Sequence, residues 1–359
     1  MKKLVLSIAL FLPSLFCHGI YFPSLMGDLV EVDGVYYLIN FLGSDYALIP
    51  ELPDGVKVIA DYEGDIKIKD TISYDGVKYP VTRIWPNAFE GFTKLRSVEI
   101  PKTVKSIGSR AFAYCKNLSH VTIPDGITTL EKGTFFGSGI KSVDLPNSMT
   151  VIGEMAFSYC DSLVSVQLPD SISVMSSYLF NNCHNLVEVV LPAHLKTIGA
   201  YAFDHCECLS SIALPPELSA ILSYSFRNCS SLTEIEFPES LKSIGEHAFW
   251  RTSLTSVRVP DSVHTIEGEA FTGCPIITAV LGSGLKYMDP GVFGDCNELT
   301  DLYCYAETPS RYYPWGSTGS HPESYSLFSP EIKQRVVLHL PASAIDLYKA
   351  DWLWGAFRQ

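Results

Sequence analysis

From residue 95 onward the chain alternates apolar and polar residues in short bursts, and the bursts return on a fixed beat. In "LRSVEIP" (residues 95–101), Val98 and Ile100 alternate with Ser97 and Glu99. A period of two over so short a segment, closed by proline, predicts a strand with one buried face. Val104, Ile107, Ala111 and Phe112 then carry apolar side chains back across the unit. A glycine follows the isoleucine at Gly108, Gly153, Gly199 and Gly245, where a tight backbone turn is expected. The phenylalanine recurs at Phe89, Phe112, Phe135, Phe157, Phe180, Phe203, Phe226, Phe249, Phe271 and Phe293, in steps of 22 or 23 residues. Ten copies at this period predict a solenoid over residues 81–304, each coil a β-strand with an irregular or short helical return. One coil buries too few side chains to offset the ordering of its own backbone, so the stack needs neighbours and capped ends.

The flanks read as those caps. Residues 20–80 form an N-terminal β cap, because "VEVDGVYYLI" (residues 30–39) and "ISYDGVKYPV" (residues 72–81) each set Asp-Gly between alternating apolar residues, a hairpin signal. Residues 305–359 form the C-terminal cap. Residues 305–331, rich in Pro, Gly, Ser and Tyr, read as a long loop, "RVVLHLP" (residues 335–341) as a strand, and residues 343–354 as a helix. Ser343 is the expected N-cap of that helix, with Asp346 completing a capping box.

The first 19 residues differ in kind. Lys2 and Lys3 precede a 13-residue apolar run at residues 4–16, too short to span a bilayer, which reads as a secretory signal peptide cleaved after Gly19. A lipid anchor on Cys17 is the rival reading, although the bulky Phe16 stands where a small residue is wanted. Export to the cell surface or the medium follows from either. The net charge of −13 repels nucleic acid and anionic membranes, and 47% hydrophobic with 18% charged residues fits an ordered chain.

The repeated "IG..AF..C..L..V.IP" unit resembles the leucine-rich repeats of the BspA-like surface proteins, the treponemal and Bacteroides type of that family. "EVDGVYYLI" and "YDGVKYPVTRIWPNAF" resemble its N-terminal leader, and "VVLHLPASAIDLYKADWLWGAF" its C-terminal ending. The resemblance implies a secreted or surface-displayed adhesion protein that binds host extracellular proteins. It names no ligand.

Seven cysteines share one repeat position: Cys115, Cys160, Cys183, Cys206, Cys229, Cys274 and Cys296. Rungs ~4.8 Å apart spread four such thiols over about 14 Å, too far to converge on one zinc ion at ~2.0–2.3 Å. Neighbouring rungs do fall in the ~4.4–6.8 Å Cα range of disulfides, and an exported chain permits them. Against that, side chains in register point the same way, and Phe92, Ser138 and Thr252 replace the cysteine in other copies. Buried packing and some disulfide both remain open; Cys208 and Cys304 lie off the column.

No catalytic constellation emerges. The histidines lack metalloprotease spacing, and there is neither a phosphate-binding glycine loop nor a nucleophile elbow. Glu234 and Glu236 stand i, i+2 on one strand face, where strand rise puts them about 6–7 Å apart, but their neighbours enclose nothing. The expectation is a non-enzymatic chain with no cofactor and no bound metal. What a solenoid offers is a face. Its outward columns include Glu99, His120, Thr122, Asp144, Gln167, Glu188, Val190, Ala213, Glu234, Glu236 and Arg258, continuing to Ala279 and Leu281. Small, polar and partly acidic, with an apolar patch at Val190 and Ala213, this face would prefer a basic segment of an extracellular or host surface protein. Tyr312, Tyr313, Trp315, Trp352 and Trp354 could instead stack on a glycan or cover the apolar end of the stack, and an envelope-organising role is the third reading.

Overall fold

Both Asp-Gly pairs turn hairpins. In the computed structural model, which describes residues 28–39, 47–49, 62–311, 328–351, 354–355 and 357, Asp28–Val32 pairs antiparallel with Val35–Ile39, and Thr71–Tyr74 with Val77–Ile84. The turn residues Asp33 (φ 51°), Gly34 (79°), Asp75 (48°) and Gly76 (81°) all sit in the left-handed region, as two-residue primed turns require. The leader, with Cys17, lies outside the described residues.

Two compact units divide the chain, Met1–Phe157 and Ser158–Gln359. In the first, Val77–Ile84 leaves its hairpin, pairs parallel with Ala47–Ile49 and carries the parallel ladder on through Ser106–Ile107, Thr129–Leu130 and Val151–Ile152. A second parallel ladder joins Gly64–Lys67, Leu95–Glu99 and His120–Thr122, and reaches Asp144 by a single bridge. Phe89, Phe112, Phe135 and Phe157 stack between the ladders at centroid spacings of 5.1, 5.5 and 5.6 Å with rings within 9° of parallel. Tyr62 covers the open end of that column, tilted on Phe89 at 5.0 Å and edge-on to Phe92 at 4.7 Å, while its hydroxyl accepts a hydrogen bond from the Tyr36 N–H.

The second unit repeats the plan. Two-residue strands run in register from Thr197–Ile198 through Ala220–Ile221, Ser243–Ile244 and Thr265–Ile266 to Tyr287–Met288. Phe180, Phe203, Phe226, Phe249, Phe271 and Phe293 stack at 5.1–5.8 Å. The fold is therefore a leucine-rich repeat solenoid in each unit. Of the two returns expected, the irregular one is found: no helix occurs in the repeats among the described residues, and the return is a two-residue strand followed by turns. Those turns are laddered as well, since Phe112 N–H donates to Thr134 O and Phe203 N–H to Ser225 O in the following coil. Backbone groups that a helix would satisfy internally are satisfied between coils.

The recurrent glycines also act otherwise than expected. Gly153 and Gly199 are not in the left-handed region; a Cβ on Gly199 would lie 2.5 Å from Met175 O and one on Gly153 2.7 Å from Glu131 C. They let the preceding coil's backbone approach closely, which sets the coil spacing.

At the C-terminal end Val337–His339 adds a parallel strand to Asp301–Cys304. The loop expected over residues 305–331 ends in a helix, Pro330–Arg335, whose N-cap Ser329 accepts from Ile332 N–H and whose first residue is proline. Arg335 donates to the carbonyls of Cys296 and Leu299, closing the last coil. The final helix is only Ile345–Ala350; Ala344 is its N-cap without a side-chain bond. Ser343 does not cap it, because its hydroxyl donates to Glu307 Oε2 at 2.8 Å instead. Trp354 is 1% exposed and packs edge-on to Phe328 and Tyr348, so it covers the end of the stack.

Candidate interaction surface

The cysteine column lies inside. Cys115, Cys160, Cys183, Cys206, Cys229, Cys274 and Cys296 are free and buried, as is Cys304, whereas Cys208 is free and exposed. Cys115 Sγ donates to Phe89 O at 2.9 Å, and Cys206, Cys229, Cys274 and Cys296 donate to Phe180 O, Phe203 O, Phe249 O and Phe271 O at 3.0–3.2 Å. Each thiol thus fills a core position and supplies a weak donor to the previous coil's phenylalanine carbonyl. Burial pushes the Cys115 thiol up to about 12, Cys274 to about 11 and Cys296 to about 12, and raises Cys183, Cys206 and Cys229 strongly. Such thiols are poor nucleophiles and poor metal ligands at neutral pH.

In the first unit the outward strand positions are exposed and already engaged. Glu99 pairs with Lys67 at 2.5 Å, His120 Nε2 lies 3.2 Å from Thr122 Oγ1, and Asp144 is exposed at the end of its ladder. In the second unit Gln167, Glu188, Val190, Ala213, Glu234, Glu236 and Arg258 all face outward. Ala279 and Leu281 do not. Ser256 pairs with Thr278 and Arg258 with Val280, so in this coil, one residue shorter than most, Ala279 and Leu281 turn inward and are fully buried.

Glu188, Glu234 and Glu236 form no ion pair among the described residues. Beside Glu188, Val164 is 49% exposed, Val187 46% and Val190 46%, and Val187 N–H bonds to Val164 O at 2.8 Å. An apolar stripe in an acidic setting results. Sequence reasoning found Val190 but missed Val164 and Val187. Their signal was an apolar residue in a column that holds Arg96, Ser119, Lys141, Ser210, Thr233 and Thr255, with one more exposed apolar residue at Ile277. Of the C-terminal aromatics, Tyr312, Tyr313, Trp315 and Trp352 lie outside the described residues, and the buried Trp354 has no face to offer a sugar.

A second column was missed altogether. Two residues before each phenylalanine the backbone is left-handed, and the second unit places Tyr178, Tyr201, Tyr224 and His247 there (φ 54–62°). Their rings stack at 4.5, 4.5 and 4.7 Å within 7° of parallel. Arg227 lies over the rings of Tyr201 and Tyr224 and is held by Asp204 through two 2.8 Å hydrogen bonds. A left-handed non-glycine residue costs about 1–2 kcal/mol, and a stacked pair contributes about 0.5–1.5 kcal/mol beyond the area it buries, so the stacking offsets the backbone strain.

These laddered coils, phenylalanine and thiol columns define a leucine-rich repeat scaffold. The family description that matches is the BspA type leucine rich repeat region, in six copies over residues 82–208 and 174–300. The chain belongs to that family. A leucine-rich repeat protein of Bacteroides ovatus is similar in structure, with 26% identity, a TM-score of 0.67, and 88% of this chain and 74% of that one covered. The Treponema pallidum leucine-rich repeat protein gives 27% identity, a TM-score of 0.49, and 57% and 91% coverage. The pneumococcal vaccine antigen PcpA gives 18% identity, a TM-score of 0.50, and 90% and 96% coverage. Comparison with curated proteins gives no match. The family points to a protein-binding scaffold. Among the described residues no helix is long and apolar enough to cross a membrane.

Proposed function

We propose that the chain is an exported, adhesin-like scaffold without enzymatic activity that binds basic segments of extracellular or host surface proteins through its outward strand face. The observation that carries this reading is the strand face of the second unit: exposed Glu188, Glu234 and Glu236 with no ion pair among the described residues, and exposed Val164, Val187 and Val190 around Glu188. Free carboxylates steer a cationic partner toward the face, and the valines give it apolar area to bury. The basic, apolar first 19 residues support export. The test is capture of basic and acidic extracellular matrix proteins on the immobilised chain across a salt series. Binding should favour the basic set and weaken about tenfold or more between low salt and several times physiological salt. Equal capture of acidic proteins, or capture indifferent to salt, overturns the reading.

A further inference from the structure

The Tyr178–Tyr201–Tyr224–His247 ladder lies on the turns before the phenylalanine column, at repeat positions distinct from the strand face. The fold does not require it: the same left-handed position holds Gly133 and Gly291 in other coils, where no side chain is strained. The rings are half-buried, so their edges reach solvent, and the three phenol hydroxyls make no hydrogen bond among the described residues. Donors and acceptors therefore stand in file at 4.5 Å intervals. Alongside, at the position two after each phenylalanine, Asn182, His205 and Asn228 add amide and imidazole groups, Asn228 Nδ2 lying 3.0 Å from His205 Nε2. No free cation stands along the file: the buried Asp204 neutralises the Arg227 guanidinium, and Glu246 and Glu269 flank His247 at 3.5 and 3.0 Å.

We propose that this ladder is a second binding surface, and that its ligand is a neutral polysaccharide lying along the file of tyrosine edges. A regularly spaced row of phenol hydroxyls, flanked by amide and imidazole groups, fits a ligand that repeats its own hydroxyls along a line. A polyanion would need free cations, and Arg227 is already held by Asp204.

The experiment is calorimetric titration of the full chain with maltohexaose, cellohexaose and mannohexaose, and with dextran sulfate against dextran. At least one neutral hexasaccharide binds, and the triple variant Tyr178→Gly/Tyr201→Gly/Tyr224→Gly, which copies the glycines of other coils, folds and loses that binding. Tyr201→Phe keeps the stack and removes one hydroxyl; it weakens binding about 3- to 10-fold. This single variant decides the matter if the triple variant fails to fold. No binding by any neutral hexasaccharide, binding unchanged in Tyr201→Phe, or a preference for dextran sulfate over dextran overturns the proposal. Lysine at Glu188, Glu234 and Glu236 leaves the sugar binding intact, so this surface and the strand face stand or fall separately.

Discussion

In the second unit the two ladders of the coil behave differently. The ladder of two-residue strands is unbroken across five coils, whereas the strand-face ladder is in two pieces, Ser165–Gln167 with Glu188–Val190, and Ser256–Val259 with Thr278–Leu281, Asp301–Cys304 and Val337–His339. Between the pieces, residues 211–214 and 234–237 make no backbone hydrogen bond to a neighbouring coil. The interior columns of those same coils continue, with Phe203, Phe226, Cys206 and Cys229 fully buried. Stacking of the interior and the return ladder is thus enough to hold a coil in place. The strand face is free to loosen, and it loosens where it carries Glu234 and Glu236. Shape and recognition are assigned to different columns of one repeat.

The separation can be broken from the inside. Phe203→Ala removes a fully buried ring from the stack and should cost about 3–5 kcal/mol in denaturant unfolding, while Glu234→Ala on the open face stays within about 0.5 kcal/mol. Equal effects at the two sites would erase the distinction. Gly199→Ala brings a Cβ within 2.5 Å of Met175 O and should cost about 1–3 kcal/mol. A benign Gly199→Ala would remove close approach as the reason for that glycine.

Alkali probes the interior more gently. The column thiols have pKa values raised by burial, so the unfolded chain gives up thiol protons first and the native state is favoured less as pH rises. Their contribution is intact below about pH 9 and is lost as pH climbs through about 11 for Cys274 and about 12 for Cys115 and Cys296. The melting temperature should fall across that window, and a thiol reagent at pH 8 should label Cys208 and spare the buried column. Rapid labelling of Cys206 or Cys229 in the native chain would contradict the burial. The smallest effect is local. Amides of Ala213 and Ile235 should exchange hydrogen faster than those of Val166 and Val257, and uniform protection would close the gap in the ladder.

Much of this was legible in the sequence because a repeat reports its own geometry. Phenylalanines 22 or 23 residues apart can only stack, and Asp-Gly between alternating apolar residues turns a hairpin in both places. Three things were not legible, each for a local reason. The register in the coil of Ala279 depends on a one-residue deletion whose position only strand pairing reveals, and counting in steps of 23 turned two buried residues outward. The helix Pro330–Arg335 is six residues long and lies at the edge of a loop-like composition, so its Ser329-Pro330 start was outweighed by its surroundings. The tyrosine ladder was hidden because its period is that of the scaffold. Tyr178, Tyr201 and Tyr224 recur every 23 residues, and their departure shows only against Gly133 and Gly291 in the same column.

The most direct test of the division between shape and recognition is one variant read in two ways. Glu188→Lys/Glu234→Lys/Glu236→Lys should unfold within about 1 kcal/mol of the parent chain, since all three side chains are exposed, and should lose salt-sensitive binding to basic matrix proteins. Parental stability together with parental binding would contradict the account.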